Sequence, residues 1–183
     1  MSGSLEWQEL AREPVADCKV FSVERSIAAS PADGSEHAFY RIHSSSWAQI
    51  VPVTRNGEVV LVRQYRHGAS RVTLEIPAGL VDPGEDPLRA ALRECLEETG
   101  YRARNAVSLG VVNPNPALFS NRLYAYLATD VEPASAIQNT GTEQTEVVLV
   151  PTSRLAELML RGDIDHALVA ATLWRYLHEY VGR

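Results

Sequence analysis

The sequence predicts an α/β protein: a three-layer α/β/α sandwich around a mixed β-sheet, preceded by a β-hairpin arm. Three observations carry this reading. Short apolar or alternating runs, bounded by Gly, Pro, Asn and Asp, recur along the chain as strands do. One strongly helical segment interrupts them in mid-chain, and an amphipathic one lies near the end. Strands on either side of a lone central helix suit a sheet covered on both faces. The arm is expected over residues 1–45 and the main domain over 46–183.

Met1 to about Arg12 is polar and weakly patterned. From Lys19 to Arg25 the chain alternates as a strand. Pro31-Ala32-Asp33-Gly34 signals a turn, and Phe39 to His43 reads as the returning strand. Trp47–Pro52 and Glu58–Tyr65 form the next pair, joined at Asn56-Gly57. Val59-Val60-Leu61-Val62 is the continuous apolar run of a strand buried on both faces. Thr73 to Ile76 is a short strand ending in Pro77-Ala78-Gly79. Asp86 as N-cap, Pro87 in the first turn and Gly100 as the stop frame a helix between them. Leu88, Ala91, Leu92, Cys95 and Thr99 gather on one side of it. Val107–Val112 and Leu123–Ala128 read as strands around a loop stiffened by Pro114 and Pro116. A polar loop from Gln138 leads into a strand from Glu146 to Pro151. Thr152–Arg161 reads as a short helix. His166–Tyr180 is the final one, with Ala170, Leu173, Trp174, Leu177 and Val181 expected on its buried face.

The 183 residues suffice for one domain with an appendage. A hydrophobic fraction of 45% and a charged fraction of 22% are ordinary for a globular protein. The net charge of −6 argues against a general nucleic-acid binder, which carries a basic face. Lys19 is the one lysine among 17 basic residues, so phosphate recognition would fall to arginine. The two cysteines, Cys18 and Cys95, give no disulfide framework or zinc spacing. Without a signal peptide or an apolar run of spanning length, a cytoplasmic protein with no membrane partner is expected.

Glu94, Glu97 and Glu98 stand at i, i+3 and i+4, so three carboxylates share one helical surface. Alone they would be a solvated acidic face. Their mutual repulsion can be offset by Arg93 or by a hard divalent cation, which takes oxygen ligands. The surrounding residues decide between these readings. Gly79, five residues, Glu85, seven residues, then Arg93-Glu94-Cys95-Leu96-Glu97-Glu98-Thr99-Gly100-Tyr101 resembles the box of the Nudix hydrolases at all seven identity positions. At about 6% average residue usage, a chance match is on the order of 10⁻⁸ at a given start. Glu75-Ile76-Pro77-Ala78-Gly79 ahead of it resembles the branch of ADP-ribose pyrophosphatases. Pro116, about sixteen residues past the box, fits the same branch. Asn113-Pro114-Asn115-Pro116-Ala117 and Ser120-Asn121-Arg122 depart from its usual loop and look closer to relatives acting on several nucleoside diphosphate sugars.

The resemblance implies the Nudix sandwich fold, a homodimer formed through the arm, and Mg²⁺ (with Mn²⁺ as a substitute). Its metal ligands would be Glu94, Glu97, Glu98 and the backbone carbonyl of Ala78. Glu143 in the polar loop is favoured over Glu146 as the base that accepts a proton from the attacking water. Arg93 would position the glutamates and Glu85 would support the loop. Arg66 would meet phosphate or sugar, and Trp47, Pro116 and Asn121 are the further candidate substrate contacts. The reaction implied is Mg²⁺-dependent hydrolysis of ADP-ribose or a related nucleoside diphosphate sugar to a nucleoside monophosphate and a sugar phosphate. The same box also serves hydrolysis of NADH, coenzyme A or oxidised nucleoside triphosphates, and a non-catalytic sugar-nucleotide sensor is the remaining alternative.

Overall fold

A computed structural model describes residues 5–139 and 143–182. It divides into two compact units. The first is Met1–Ser45 with Asn113–Arg122, and the second is Ser46–Val112 with Leu123–Arg183.

The first unit is an antiparallel meander of β1 (Gln8–Asp17), β2 (Ser22–Ala29) and β3 (Glu36–His43). The expected hairpin is β2–β3, closed where the Gly34 N–H donates to the Ser30 carbonyl at 2.8 Å. The polar stretch ahead of it is a third strand. All ten residues of β1 are exposed, so no in-and-out alternation marks it in the sequence. Pro14 and two register shifts break its ladder further. The 113–122 loop is tied to β3 through Ile42, whose N–H donates to Leu118 and whose carbonyl accepts from Ser120.

Among the described residues the second unit holds eight strands and three α-helices. The strands are β4 (Trp47–Thr54), β5 (Glu58–Arg66), β6 (Arg71–Glu75), β7 (Ala78–Leu80), β8 (Tyr101–Arg102), β9 (Val107–Val112), β10 (Leu123–Pro133) and β11 (Thr145–Pro151). The helices are α1 (Pro87–Thr99), α2 (Leu155–Arg161) and α3 (Ala167–Tyr176). The main strand order is β11-β5-β4-β10-β8, with β6, β7 and β9 added on β5, β4 and β10. The β4–β10 pair is parallel and its neighbours are antiparallel, so the sheet is mixed.

Alternation along β4 and β5 makes two cores. Val51, Val53, Val59 and Leu61 face α2 and α3, packing with Leu155, Val169 and Leu173. Ala48, Ile50 and Val60 face α1, packing with Ala90, Ala91 and Cys95. The uninterrupted run Val59–Val62 is therefore one strand serving both cores, and all four residues are fully buried.

The frame of α1 matches its sequence signals. Asp86 Oδ1 accepts from the N–H of Leu88 at 2.9 Å and of Arg89 at 3.3 Å. Gly100 takes a left-handed φ of 72°, and a Cβ there would lie 2.3 Å from the Ser135 carbonyl oxygen. The expectation for α3 needs correction. The buried side is Val169, Thr172, Leu173 and Tyr176, while Trp174 is 42% exposed rather than core. This helix is apolar on several sides, so periodicity alone leaves its rotation open. Gln49 of β4 settles it by donating to the Thr172 hydroxyl. Among the described residues no helix is long and apolar enough to cross a membrane.

Candidate active site

The acidic face of α1 is organised by Arg93. Its guanidinium donates to Glu85 at 3.1 and 3.0 Å, to Glu94 at 2.7 Å, to Glu97 at 3.1 Å and to the Leu80 carbonyl at 3.1 Å. Five donors in a rigid fork suit this multiple role, and lysine could not reproduce it. The charge-assisted bonds, led by those to Glu85, push the Arg93 pKa further up. Glu85 is also fixed by the Asp82 N–H at 3.1 Å, so the loop before α1 is anchored through the same carboxylate.

The short strand β7 brings its backbone to this face. Ala48 pairs with Gly79, and bonds run from Ile50 N–H to Pro77 and from Val81 N–H to Ser46. The intervening residues Ala78 and Leu80 therefore turn their N–H and C=O groups away from β4. The Ala78 N–H donates to Glu98 Oε2 at 3.0 Å, and the Leu80 carbonyl is the one Arg93 reaches. The Ala78 carbonyl shares that outward edge. Gly79 leaves room for Glu94: a Cβ there would sit 2.0 Å from Glu94 Oε1.

The carboxylates differ in their electrostatics. Burial pushes the Glu98 carboxyl up to about 8, against the Ala78 N–H; Glu94 and Glu143 raise it further, while Arg66 opposes them. Burial also raises Glu94, with Arg93 opposing. Cys95, between them in sequence, is buried in the core and its thiol is pushed up to about 12, as fits an inert packing residue.

Two hollows flank these groups. One, of about 370 Å³, is lined by Glu94, Glu97, Glu98, Gln138, Asn139, Glu143 and Thr145. The other, of about 310 Å³, is lined by Trp47, Arg66, Glu75, Ala78, His166 and Glu143, with Gln49, Gly79 and aliphatic side chains completing it. Glu143 lines both. Glu146 instead stands exposed on β11, 3.6 Å from Arg63 in the neighbouring strand. Arg66 makes a two-pronged pair with Glu75 at 2.9 and 2.8 Å. Burial alone would raise the Glu75 carboxyl, but Arg66 and the Thr73 hydroxyl together hold it below the usual carboxylate range.

The NUDIX domain pattern matches residues 46–172. The chain belongs to the Nudix family. An ADP-ribose pyrophosphatase of Bacillus subtilis (strain 168) is 28% identical over 158 residues, covering 84% of this chain and 85% of its own. The ADP compounds hydrolase NudE of Escherichia coli (strain K12) is 28% identical over 177 residues, covering 95% and 94%. A crystal structure of an ADP compounds hydrolase superposes with a TM-score of 0.87 at 27% identity, covering 99% of this chain and 98% of that one. The expected α/β Nudix fold is thus borne out.

Nudix hydrolases generally use a divalent metal, and the donor set here fits one. Three glutamates and an edge carbonyl are hard oxygen donors, and the missing side chain of Gly79 is what lets the Glu94 carboxylate lie against β7. Among the described residues no three His, Cys, Asp or Glu side chains are drawn around one point. The reason lies in their partners: Arg93 holds Glu94 and Glu97, and the Ala78 N–H holds Glu98. A cation at this face has to compete with Arg93.

Of the residues singled out in the sequence, Arg66, Trp47, Ala78, Glu85, Arg93, Glu94, Glu97, Glu98 and Glu143 all belong to the second unit and line its hollows or brace them. Pro116 and Asn121 belong to the first unit. There Asn121 is buried, and its amide donates to the Ser44 hydroxyl and the Ser45 carbonyl, both at 3.0 Å. Sequence reading missed Gln49, Glu75 and His166 as cleft residues. A glutamate inside the strand that follows Arg66 was the available signal for Glu75. Nothing local marked the other two.

Proposed function

We propose that this protein hydrolyses the diphosphate bond of ADP-ribose and of related nucleoside diphosphate sugars, with Mg²⁺ as its metal. The observation that carries the reading is the position of Glu143, a carboxylate lining both the acidic hollow and the Arg66 cleft. A diphosphate reaching from one to the other would pass it. Water attack at one phosphorus forms a new P–O bond and breaks the bridging P–O bond. From ADP-ribose the products are AMP and ribose 5-phosphate.

Glu94, Glu97, Glu98 and the Ala78 carbonyl would hold the metal, which when bound neutralises phosphate charge and lowers the pKa of water. Glu143 takes the proton from the attacking water, as a general base at the junction. Arg93 keeps the glutamates aligned and ties them to Glu85 and β7. Arg66, pre-set by Glu75, offers its remaining N–H groups to phosphate. The names of the similar proteins, ADP-ribose pyrophosphatase and ADP compounds hydrolase, support the choice of substrate class.

The test is a hydrolysis panel with Mg²⁺, covering ADP-ribose, ADP-glucose, GDP-mannose, UDP-glucose, NADH and coenzyme A, with products separated by chromatography. Release of AMP from ADP-ribose, stopped by a chelator and restored by Mg²⁺, is the expected result. Turnover of coenzyme A or NADH with ADP-ribose untouched would reassign the substrate. Glu98→Gln should remove nearly all activity with the fold intact, and full activity in that variant would overturn the mechanism.

A further inference from the structure

The cleft beside Arg66 contains two polar groups that the mechanism leaves unused, His166 and Gln49. His166 is the N-cap of α3, and its Nδ1 accepts from the Val169 N–H at 3.4 Å. In the neutral ring an accepting Nδ1 leaves the proton on Nε2, at the opposite edge of the imidazole. Burial holds the ring toward that neutral form, with Glu75 opposing and Arg66 reinforcing it. Gln49 is 1% exposed and stands on β4 beneath the same helix. Its amide nitrogen donates to the Leu168 carbonyl at 3.1 Å and to the Thr172 hydroxyl. Both amide hydrogens are thus spent on α3. They pin the turn that carries His166, and Oε1 is the polar atom Gln49 has left.

We propose that His166 and Gln49 are specificity-determining residues that read the sugar distal to the diphosphate, His166 Nε2–H donating and Gln49 Oε1 accepting. A sugar hydroxyl both gives and takes a hydrogen bond, so neighbouring hydroxyls match a donor beside an acceptor. Apart from Glu143, which also lines the acidic hollow, and the backbone of Ala78 and Gly79, the remaining wall is Trp47, Leu80, Leu123, Leu168 and Val169, which suits the C–H face of a sugar ring. Arg66 is held by Glu75 and faces the phosphate with its remaining N–H groups, so the neutral pair is left to discriminate among uncharged groups. The inference rests on the diphosphate-sugar reading for its substrate class, but it is tested by binding alone.

The experiment is isothermal titration of the wild type and of His166→Asn with ADP-ribose and with ADP, in EDTA so that nothing turns over. Asparagine is a good N-cap, so the variant keeps the helix start and loses the imidazole. The expected result is a loss of about three- to tenfold in affinity for ADP-ribose, the worth of one neutral hydrogen bond, with ADP unchanged. The melting temperature should stay at the wild-type value, which separates a contact from a folding role. Equal losses for ADP and ADP-ribose, or no loss for either, would overturn the assignment. So would a wild type that binds ADP-ribose no better than ADP, even if it hydrolyses it. Conversely, selective binding sensitive to His166 without hydrolysis of ADP-ribose would leave this inference standing and remove the proposed reaction.

Discussion

At the scale of single residues, two positions make sharp predictions. Gly79→Ala places a methyl where Glu94 Oε1 now lies, 2.0 Å away, so the carboxylate has to move. Displacements of that size at a reacting centre cost on the order of 10² in rate. The expected outcome is such a fall in kcat with little change in melting temperature, checked by steady-state kinetics beside thermal unfolding. Arg66→Ala makes a different prediction. It strips a buried carboxylate of its main partner, since Glu75 is 1% exposed. Loss of a fully buried pair costs roughly 3–5 kcal/mol; Arg66 is 40% exposed, so about 2 kcal/mol is expected. The pH dependence has a definite sign. With its folded pKa below 4.5, Glu75 adds stability above that value, and the gain is lost as pH falls through the folded pKa. Without Arg66, burial dominates over Thr73 and the nearby His166, and the folded pKa rises above the unfolded one. Stability is then lost as pH rises. The gap between wild type and variant should widen from about pH 4 to about pH 7 in melting-temperature series. A constant gap would mean that Glu75 is not the group left exposed to titration.

At the scale of elements, the box helix is the best-determined piece and β1 the least. Asp86, Pro87 and Gly100 act within one turn of their own positions, so the ends of α1 are legible in sequence. So is the acidic face, because i, i+3 and i+4 positions of a helix are neighbours whatever surrounds them. The ten exposed residues of β1 carry no such local record. Neither does the rotation of α3, which depends on a bond between Gln49 and Thr172, 123 positions apart. Cleft residues follow the same division. Arg93 and the glutamates could be read directly, whereas His166 gains meaning only when α3 is set against β4. Loop position favours Glu143 over Glu146 as the proposed base, and Glu146 lies opposite Arg63 in the strand register. A pair of variants follows: Glu143→Gln should lose at least about 10² in kcat, the usual worth of a general base, while Glu146→Gln should stay near wild type. Reversal of that order would exchange their roles.

At the scale of the whole molecule, the open question is assembly. The first unit exposes Trp7, Leu10, Val15, Phe39 and Tyr40, an apolar load unusual for a free three-stranded sheet. We expect a homodimer of about 40 kDa by light scattering, twice the 20.1 kDa chain. Replacing Trp7 and Phe39, which meet edge to face at 5.1 Å, with glutamates should yield the monomer. A monomeric wild type would remove the arm's assigned purpose.

The outward side of β7 carries one more consequence. A strand that ends a sheet with bare N–H and C=O groups invites other chains to pair with it. Here Glu98 and Arg93 occupy those groups on Ala78 and Leu80. The same two side chains that are proposed to serve the chemistry therefore also occupy part of an outward strand edge. Truncating them to alanine would combine loss of activity with self-association, whereas Glu98→Gln retains an oxygen for the Ala78 N–H. Light scattering of concentrated Glu98→Ala and Glu98→Gln samples should separate the two effects.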